Sequence, residues 1–240
     1  WIAGWSAGDL RLVSRVLRRR TASRLTGATV GAVNVTGLPV DESGMWREVL
    51  TPCVSSTLRP ALFLDRDGTL IDLVDYLSTP GDVQPIAEAV ALTARARANN
   101  IPTVLVTNQS GIERGYYSWQ HFAEVQQAVI AAVVAGGGKI DAVYACPALP
   151  GSGAPCRKPS PGMLLAAAED LALDLACSWM VGDAASDLAA ASNAGLRHGW
   201  LVATGYGTGD RADALSLSGP GFDVMVDRPL SELAELLSGL

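Results

Sequence analysis

Four cysteines in 240 residues, at irregular spacing, are too few to staple the chain, so no disulfide framework is expected. Long apolar runs are missing too. Uncharged stretches such as Leu25–Val40 and Val125–Gly138 are too short or too rich in Gly, Thr and Asn to cross a membrane. An export signal needs an apolar core near the start and a small-residue cleavage site, and the cluster Arg18-Arg19-Arg20 has neither beside it. The first residue is Trp1 rather than Met, which leaves a preceding segment open, but no targeting signal is expected. Positive charge is in deficit: the net charge is −6 and the pI about 4.9. That balance counts against a nucleic-acid partner, because phosphate binding favours a basic face. There is no kinase-type P-loop, no internal repeat and no low-complexity tract. A reducing cytoplasm is the expected compartment.

What the chain does have is apolar surface to bury. Hydrophobic residues make up 49% and charged residues 18%, enough for a substantial core in one large domain, or one domain with an appendage. Residues 1–59 differ from the rest. They hold six arginines between Arg11 and Arg24 and no acid from Leu10 to Val40. Leu10, Val13, Val16 and Leu17 suit one face of a helix with arginines on the other. A solvated arm packed on the main domain is the preferred reading, with attraction of an anionic partner as the alternative. The segment is assigned as an N-terminal Arg-rich extension of unknown role, residues 1–59, and residues 60–240 as the main domain.

From Pro60 onward strands and helices alternate. Strands are expected at Ala61–Asp65, Thr103–Thr107, Ile140–Cys146, Ser178–Gly182, Gly199–Thr204 and around Phe222–Val226. Helices are expected at Ile86–Asn99, Ser118–Ala135, Pro161–Leu173, Ala185–Ala194 and Ser231–Leu237. Such alternation means right-handed crossovers and an α/β fold: a three-layer, doubly wound parallel sheet covered on both faces.

The most informative stretch is Ala61-Leu62-Phe63-Leu64-Asp65-Arg66-Asp67-Gly68-Thr69-Leu70. A buried strand runs into a tight turn and delivers two carboxylates to its C-terminal edge, where open α/β sheets bind ligands. Two acids so close ask for a divalent cation. Taken alone, an Asp-Gly hairpin turn would also fit. The other strand ends decide the matter. The second strand ends in Thr107-Asn108-Gln109-Ser110-Gly111. The third leads to Cys156-Arg157-Lys158-Pro159, and the fourth ends in Gly182-Asp183 with Asp187 beyond. Each piece has a bland reading as a turn, a helix cap or a surface charge. Together on one rim they supply metal ligands, phosphate donors and fixed positive charge, the parts that phosphoryl transfer needs.

The order Asp-x-Asp-Gly-Thr, strand-end Thr-Asn, Lys-Pro and Gly-Asp-x-x-x-Asp resembles the haloacid dehalogenase (HAD) superfamily of phosphohydrolases, over about Pro60 to Thr204. Three longer strings resemble its histidinol-phosphate and heptose bisphosphate phosphatases. They are Phe63–Leu70, Val106–Ile112 with Arg114-Gly115, and Cys156–Pro159 with Pro161–Leu164. The resemblance implies a Rossmann-like HAD core without a large cap domain, and the short spacings from Asp67 to Thr107 and from Thr107 to Lys158 leave no room for one. It implies a nucleophilic Asp65, forming an aspartyl-phosphate, and an acid-base Asp67. It implies Mg²⁺ held by Asp65, the Asp67 carbonyl and Asp183, and phosphoryl oxygens held by Thr107 and Lys158 with Asn108 nearby. Gln109, Ser110, Arg157, Asp187 and the flap Leu73–Tyr76 would face the rest of a small phosphorylated metabolite.

Two departures matter. Close relatives often hold zinc through a Cys-x-His and a later Cys-x-Cys in the loop after the third strand. Here Ala148 and Ala154 replace two of the four ligands, and neither His121 nor His198 lies in the loop. A structural zinc needs four ligands, so none is expected, and Cys146 and Cys156 read as free thiols, or as a bridge if geometry permits. Heptose-type relatives also often carry lysine where this chain has Ala184, which weakens that substrate assignment. The leading expectation is a Mg²⁺-dependent phosphomonoesterase of a small sugar phosphate. The alternatives are a histidinol-phosphate phosphatase, a nucleic-acid 3′-phosphatase, or a binding scaffold on an idle core. Oligomeric state is not legible.

Overall fold

The computed structural model describes residues 37–52 and 57–239. The arginine-rich helix expected around Leu10–Leu17 lies outside them. Strands β1 (Trp46–Val49), β2 (Leu62–Leu64), β3 (Thr103–Asn108), β4 (Ala142–Cys146), β5 (Trp179–Gly182), β6 (His198–Leu201) and β7 (Asp223–Met225) form one sheet. Its order is β1-β4-β3-β2-β5-β6-β7. Every pairing is parallel except that of β1 with β4, where Trp46 faces Ala145.

Side-chain alternation in the strands builds the layers. In β2, Leu62 and Leu64 point to one face and Phe63 to the other, and all are fully buried. Helices α1 (Ala87–Ala98), α2 (Trp119–Ala135) and α6 (Leu230–Leu236) cover the first face, through Leu92, Val125, Val129 and Leu233. Helices α3 (Gly162–Leu171), α4 (Ala185–Ala194) and α5 (Gly207–Ser216) cover the second, through Met163, Leu164, Leu188 and Ala214. This is the expected three-layer α/β architecture. The strand limits contract by a residue or more at several ends.

Two elements were not anticipated. β1 comes from within the segment assigned to the N-terminal extension. Trp46 anchors it, 2% exposed, with ring centroids 5.5 Å from Trp119 and 5.1 Å from Phe122. Arg47 then ties it to α3 by hydrogen bonds of 2.7 and 2.6 Å to the Asp170 carboxylate. Helix α5 buries only Gly207 and Ala214, so its sequence carries no apolar stripe to betray it.

The chain leaves β2 toward β3 and β4 on one side and toward β5, β6 and β7 on the other. The β2–β5 boundary is therefore the topological switch point, where α/β sheets open a crevice at their carboxyl ends.

Candidate active site

Asp65 continues β2 and is locked to the neighbouring strand by its N–H, which donates to Val181 O at 2.9 Å. Only 6% of it is exposed. The following turn closes with Gly68 N–H donating to Ile71 O at 2.8 Å, and the Thr204 hydroxyl donates to Gly68 O at 2.5 Å. Gly68 has φ +82° and Gly205 φ +54°, and a Cβ on either would overlap the Asp183 carboxylate. Glycine at both places lets the motif turn and the loop after β6 close around Asp183.

Lys158 reaches in from the loop between β4 and α3, 3% exposed. Its ammonium lies 2.5 Å from Asp65 Oδ1, 2.6 Å from Asp187 Oδ1 and 2.7 Å from Val106 O. Burial alone would lower its pKa, but Asp187 and Asp65 outweigh that and raise it, so the lysine stays charged. Asn108 holds the lysine's backbone in both directions. Its amide donates to Lys158 O and its Oδ1 accepts from Lys158 N, each at 3.1 Å.

Asp183 accepts the Tyr206 N–H at 2.9 Å. Carboxylate oxygens of Asp65, Asp183 and Asp187 all lie within 4.8 Å of one another. Burial raises the Asp65 carboxyl well above its ordinary value against the pull of Lys158, with Asp187, Asp183 and Asp67 adding to the rise. Burial, reinforced by Asp187, pushes Asp183 up to about 7, against the Tyr206 N–H and Lys158. Three carboxylates against one ammonium leave two negative charges uncompensated in a buried oxygen-rich site. That donor set and charge fit a hard divalent cation such as Mg²⁺.

Asp67 is dealt with separately. Arg66, 1% exposed, forks onto it with Nε and Nη2 at 3.0–3.2 Å and lies 5.2 Å from the centre of the Phe122 ring. Gln109 Nε2 donates to Asp67 Oδ2 at 2.7 Å and to the Thr107 hydroxyl at 2.8 Å. The pocket above these groups, about 290 Å³, is edged by Leu73, Val74, Tyr76, Ser110, Arg157 and Tyr206. A larger hollow of about 560 Å³ lies at the amino ends of β5, β6 and β7, beside Trp179, His198 and Asp223. It holds none of these groups, so chemistry rather than size places the site.

The structure thus gathers all the expected residues around one pocket, and two of them are also held by other side chains of the site. Asp187, expected to meet substrate, is 2% exposed and held by Lys158 and by the Ala184 N–H at 3.0 Å. Gln109, also expected to meet substrate, is 4% exposed and faces Asp67. The thiol reading is corrected as well: Cys146 and Cys156 form a disulfide across a Cα–Cα distance of 5.6 Å. Cys146 ends β4 while the loop doubles back to Lys158, which brings the two cysteines face to face. Residues missed from the sequence include Arg66, Tyr117 and Tyr206. Arg66 sits between the two motif aspartates and could have been suspected; Tyr117, eight residues beyond Gln109, had no local signal.

Comparisons with known proteins show the family. The HAD-hydrolase-like family model matches residues 155–226. The chain is 40% identical over 211 residues to the D-glycero-β-D-manno-heptose-1,7-bisphosphate 7-phosphatase of Mesorhizobium japonicum, covering 84% of this chain and 92% of that protein. It is 39% identical over 165 residues to the corresponding enzyme of Vibrio cholerae, covering 66% and 89%. The crystal structure of a HAD-like phosphatase from Mesorhizobium loti superposes with a TM-score of 0.72 at 40% identity, covering 84% of this chain and 95% of that one. The D,D-heptose 1,7-bisphosphate phosphatase of B. bronchiseptica, solved with magnesium and phosphate, superposes with a TM-score of 0.66 at 34% identity, covering 74% and 97%.

Proposed function

Because the chain belongs to the HAD-like phosphatases, we propose that Asp65 is its nucleophile and Asp67 its general acid and base, acting on a sugar bisphosphate. The chain is a phosphoric monoester hydrolase. The observation that carries the assignment of roles is the bridge that Lys158 makes between Asp65 and Asp187, with Asp183 within the same cluster at the switch point.

An Asp65 oxygen attacks phosphorus in line with the ester bond. The P–O bond breaks, its electron pair passes to the ester oxygen, and Asp67 protonates that oxygen as it leaves. Water, deprotonated by Asp67, then attacks phosphorus in the aspartyl-phosphate and releases phosphate with Asp65 restored. Lys158 and the Thr107 hydroxyl hold the phosphoryl oxygens, and the ammonium relieves repulsion between Asp65 and an anionic substrate. Asp187 and Asn108 keep that ammonium in place. A Mg²⁺ held by Asp65, Asp183 and the Asp67 carbonyl would neutralise charge on the phosphoryl group.

The substrate class follows from the mouth of the pocket. Tyr76 and Tyr116 meet edge to face with centroids 4.6 Å apart, and Leu73, Val74 and Tyr206 are exposed beside Tyr76 or across from it. Such a rim suits the C–H face of a sugar. Arg157 lines the same pocket, and burial and the nearby Arg114 charge lower its pKa. Arg157 suits a second phosphate and supplies positive charge although position 184 is alanine, with the Arg114 charge near enough to add to it. Heptose 1,7-bisphosphate, the substrate named for the relatives, meets both requirements. The test is turnover in Mg²⁺ followed by ³¹P spectroscopy. Heptose 1,7-bisphosphate is expected to lose one phosphate faster than histidinol phosphate or a 3′-phosphorylated oligonucleotide loses its own. Faster turnover of either competitor would reject the sugar assignment.

A further inference from the structure

Gln109 and Tyr117 form a chain that ends on Asp67. The Tyr117 hydroxyl donates to Gln109 Oε1 at 2.5 Å, and Gln109 Nε2 donates to Asp67 Oδ2 at 2.7 Å. The two supporting partners are buried: Gln109 is 4% and Tyr117 7% exposed. Flipping the amide would set Oε1 against the Asp67 carboxylate, so that carboxylate selects the orientation in which Gln109 donates to it, and the Tyr117 hydroxyl satisfies and anchors the Oε1 on the other side. Burial, opposed by Arg66 and reinforced by Asp67, raises the Tyr117 phenol to about 12, so it remains a donor at neutral pH. Gly111 leaves the space that the Tyr117 ring fills, since a Cβ there would overlap that ring. Arg66 grips the other side of the Asp67 carboxylate and is itself held against Phe122 of α2.

We propose that Gln109 and Tyr117 are positioning residues: the phenol fixes the amide, and the amide, with Arg66, aims the Asp67 carboxyl at the departing ester oxygen. The proposal rests on the reading of Asp67 as the general acid given above. It makes Gln109 a partner of the acid rather than of the substrate, and it gives Tyr117 a part in the reaction without contact to any reacting atom.

Leaving-group dependence tests it. A misaimed acid hampers the departure of an alkoxide, which must be protonated, but hardly affects a nitrophenolate, which leaves without a proton. The full chain is assayed in Mg²⁺ with an alkyl phosphate and with p-nitrophenyl phosphate. The readout is kcat/KM, which covers phosphoryl transfer to the enzyme but not the later hydrolysis. Tyr117→Phe, which removes one oxygen and keeps the packing, is expected to lower the alkyl value about tenfold and the aryl value less than about twofold. Gln109→Leu is expected to widen that ratio further. Because the ratio is taken within each variant, any loss of folded protein cancels. Equal losses on both esters, or no loss on either, would overturn the proposal. Wild-type protein that cleaves neither ester and behaves like Asp65→Asn would instead overturn the phosphatase roles, and the proposal with them.

Discussion

Lys158 brings a charged ammonium into a buried site that already holds Asp65, Asp183 and Asp187. Remove it and two carboxylates lose their common partner. Lys158→Met is expected to destabilise the metal-free protein by about 3 kcal/mol, the usual range for stranding buried charge, and to lower kcat by about a thousandfold or more. Denaturant titration and steady-state kinetics measure the two effects; a variant with near wild-type kcat would remove Lys158 from the reaction. At this scale the sequence showed which residues gather but not which way each turns. Asp65, Asp67, Thr107, Lys158 and Asp183 were legible because each sits at a strand end or in a motif loop that the topology brings to one rim. The orientation of Gln109 depends on Tyr117, and that of Asp187 on Lys158 and the Ala184 N–H. The Ala184 contact is a local cap, but Tyr117 and Lys158 cannot be read as these partners from local spacing.

The loop between β4 and α3 is the element that carries Arg157 and Lys158 to the site. Its Cys146–Cys156 disulfide closes a segment of sequence separation 10 and ends one residue before Arg157 and two before Lys158. Chain entropy assigns such a closure about 2–3 kcal/mol. Reduction of the wild type is expected to lower its melting temperature and raise KM, by loosening Arg157 more than Lys158, which Asn108 holds independently. A Cys146→Ser/Cys156→Ser double variant should match the reduced wild type and no longer respond to dithiothreitol. Indifference of the wild type to reduction would contradict this role. From β2 onward the strands, and the helices other than α5, were readable because apolar runs and amphipathic stretches alternate cleanly. β1 was not, since four residues with one anchoring tryptophan carry no period, and its place is set by Trp119 and Phe122 far along the chain.

At the scale of the whole molecule, the buried carboxylates couple stability to pH. The folded protein without metal holds a proton on Asp183 up to about 7, whereas the group ordinarily releases it near 3.8. Between those values the native state binds more protons than the unfolded chain, so this contribution to stability is present at low pH and is lost as pH rises through the window. Asp65 is shifted in the same direction. A divalent cation bound by the ionised carboxylates reverses the loss. The gain in melting temperature on adding Mg²⁺ is therefore expected to be small at pH 5 and to grow through pH 8. A gain that shrinks with rising pH would contradict the assignment of Asp65 and Asp183 as metal-facing carboxylates. Among the described residues no helix is long and apolar enough to cross a membrane.

The proposed reaction passes a phosphoryl group through the carboxylate at position 65. Rapid acid quenching of the enzyme during turnover of heptose 1,7-bisphosphate, followed by peptide mass spectrometry, reads this directly. A hydroxylamine-labile phosphate on the peptide at Asp65, absent from Asp65→Asn, is the predicted result. Active enzyme that carries phosphate on another residue, or on none at any time in the turnover, would contradict it.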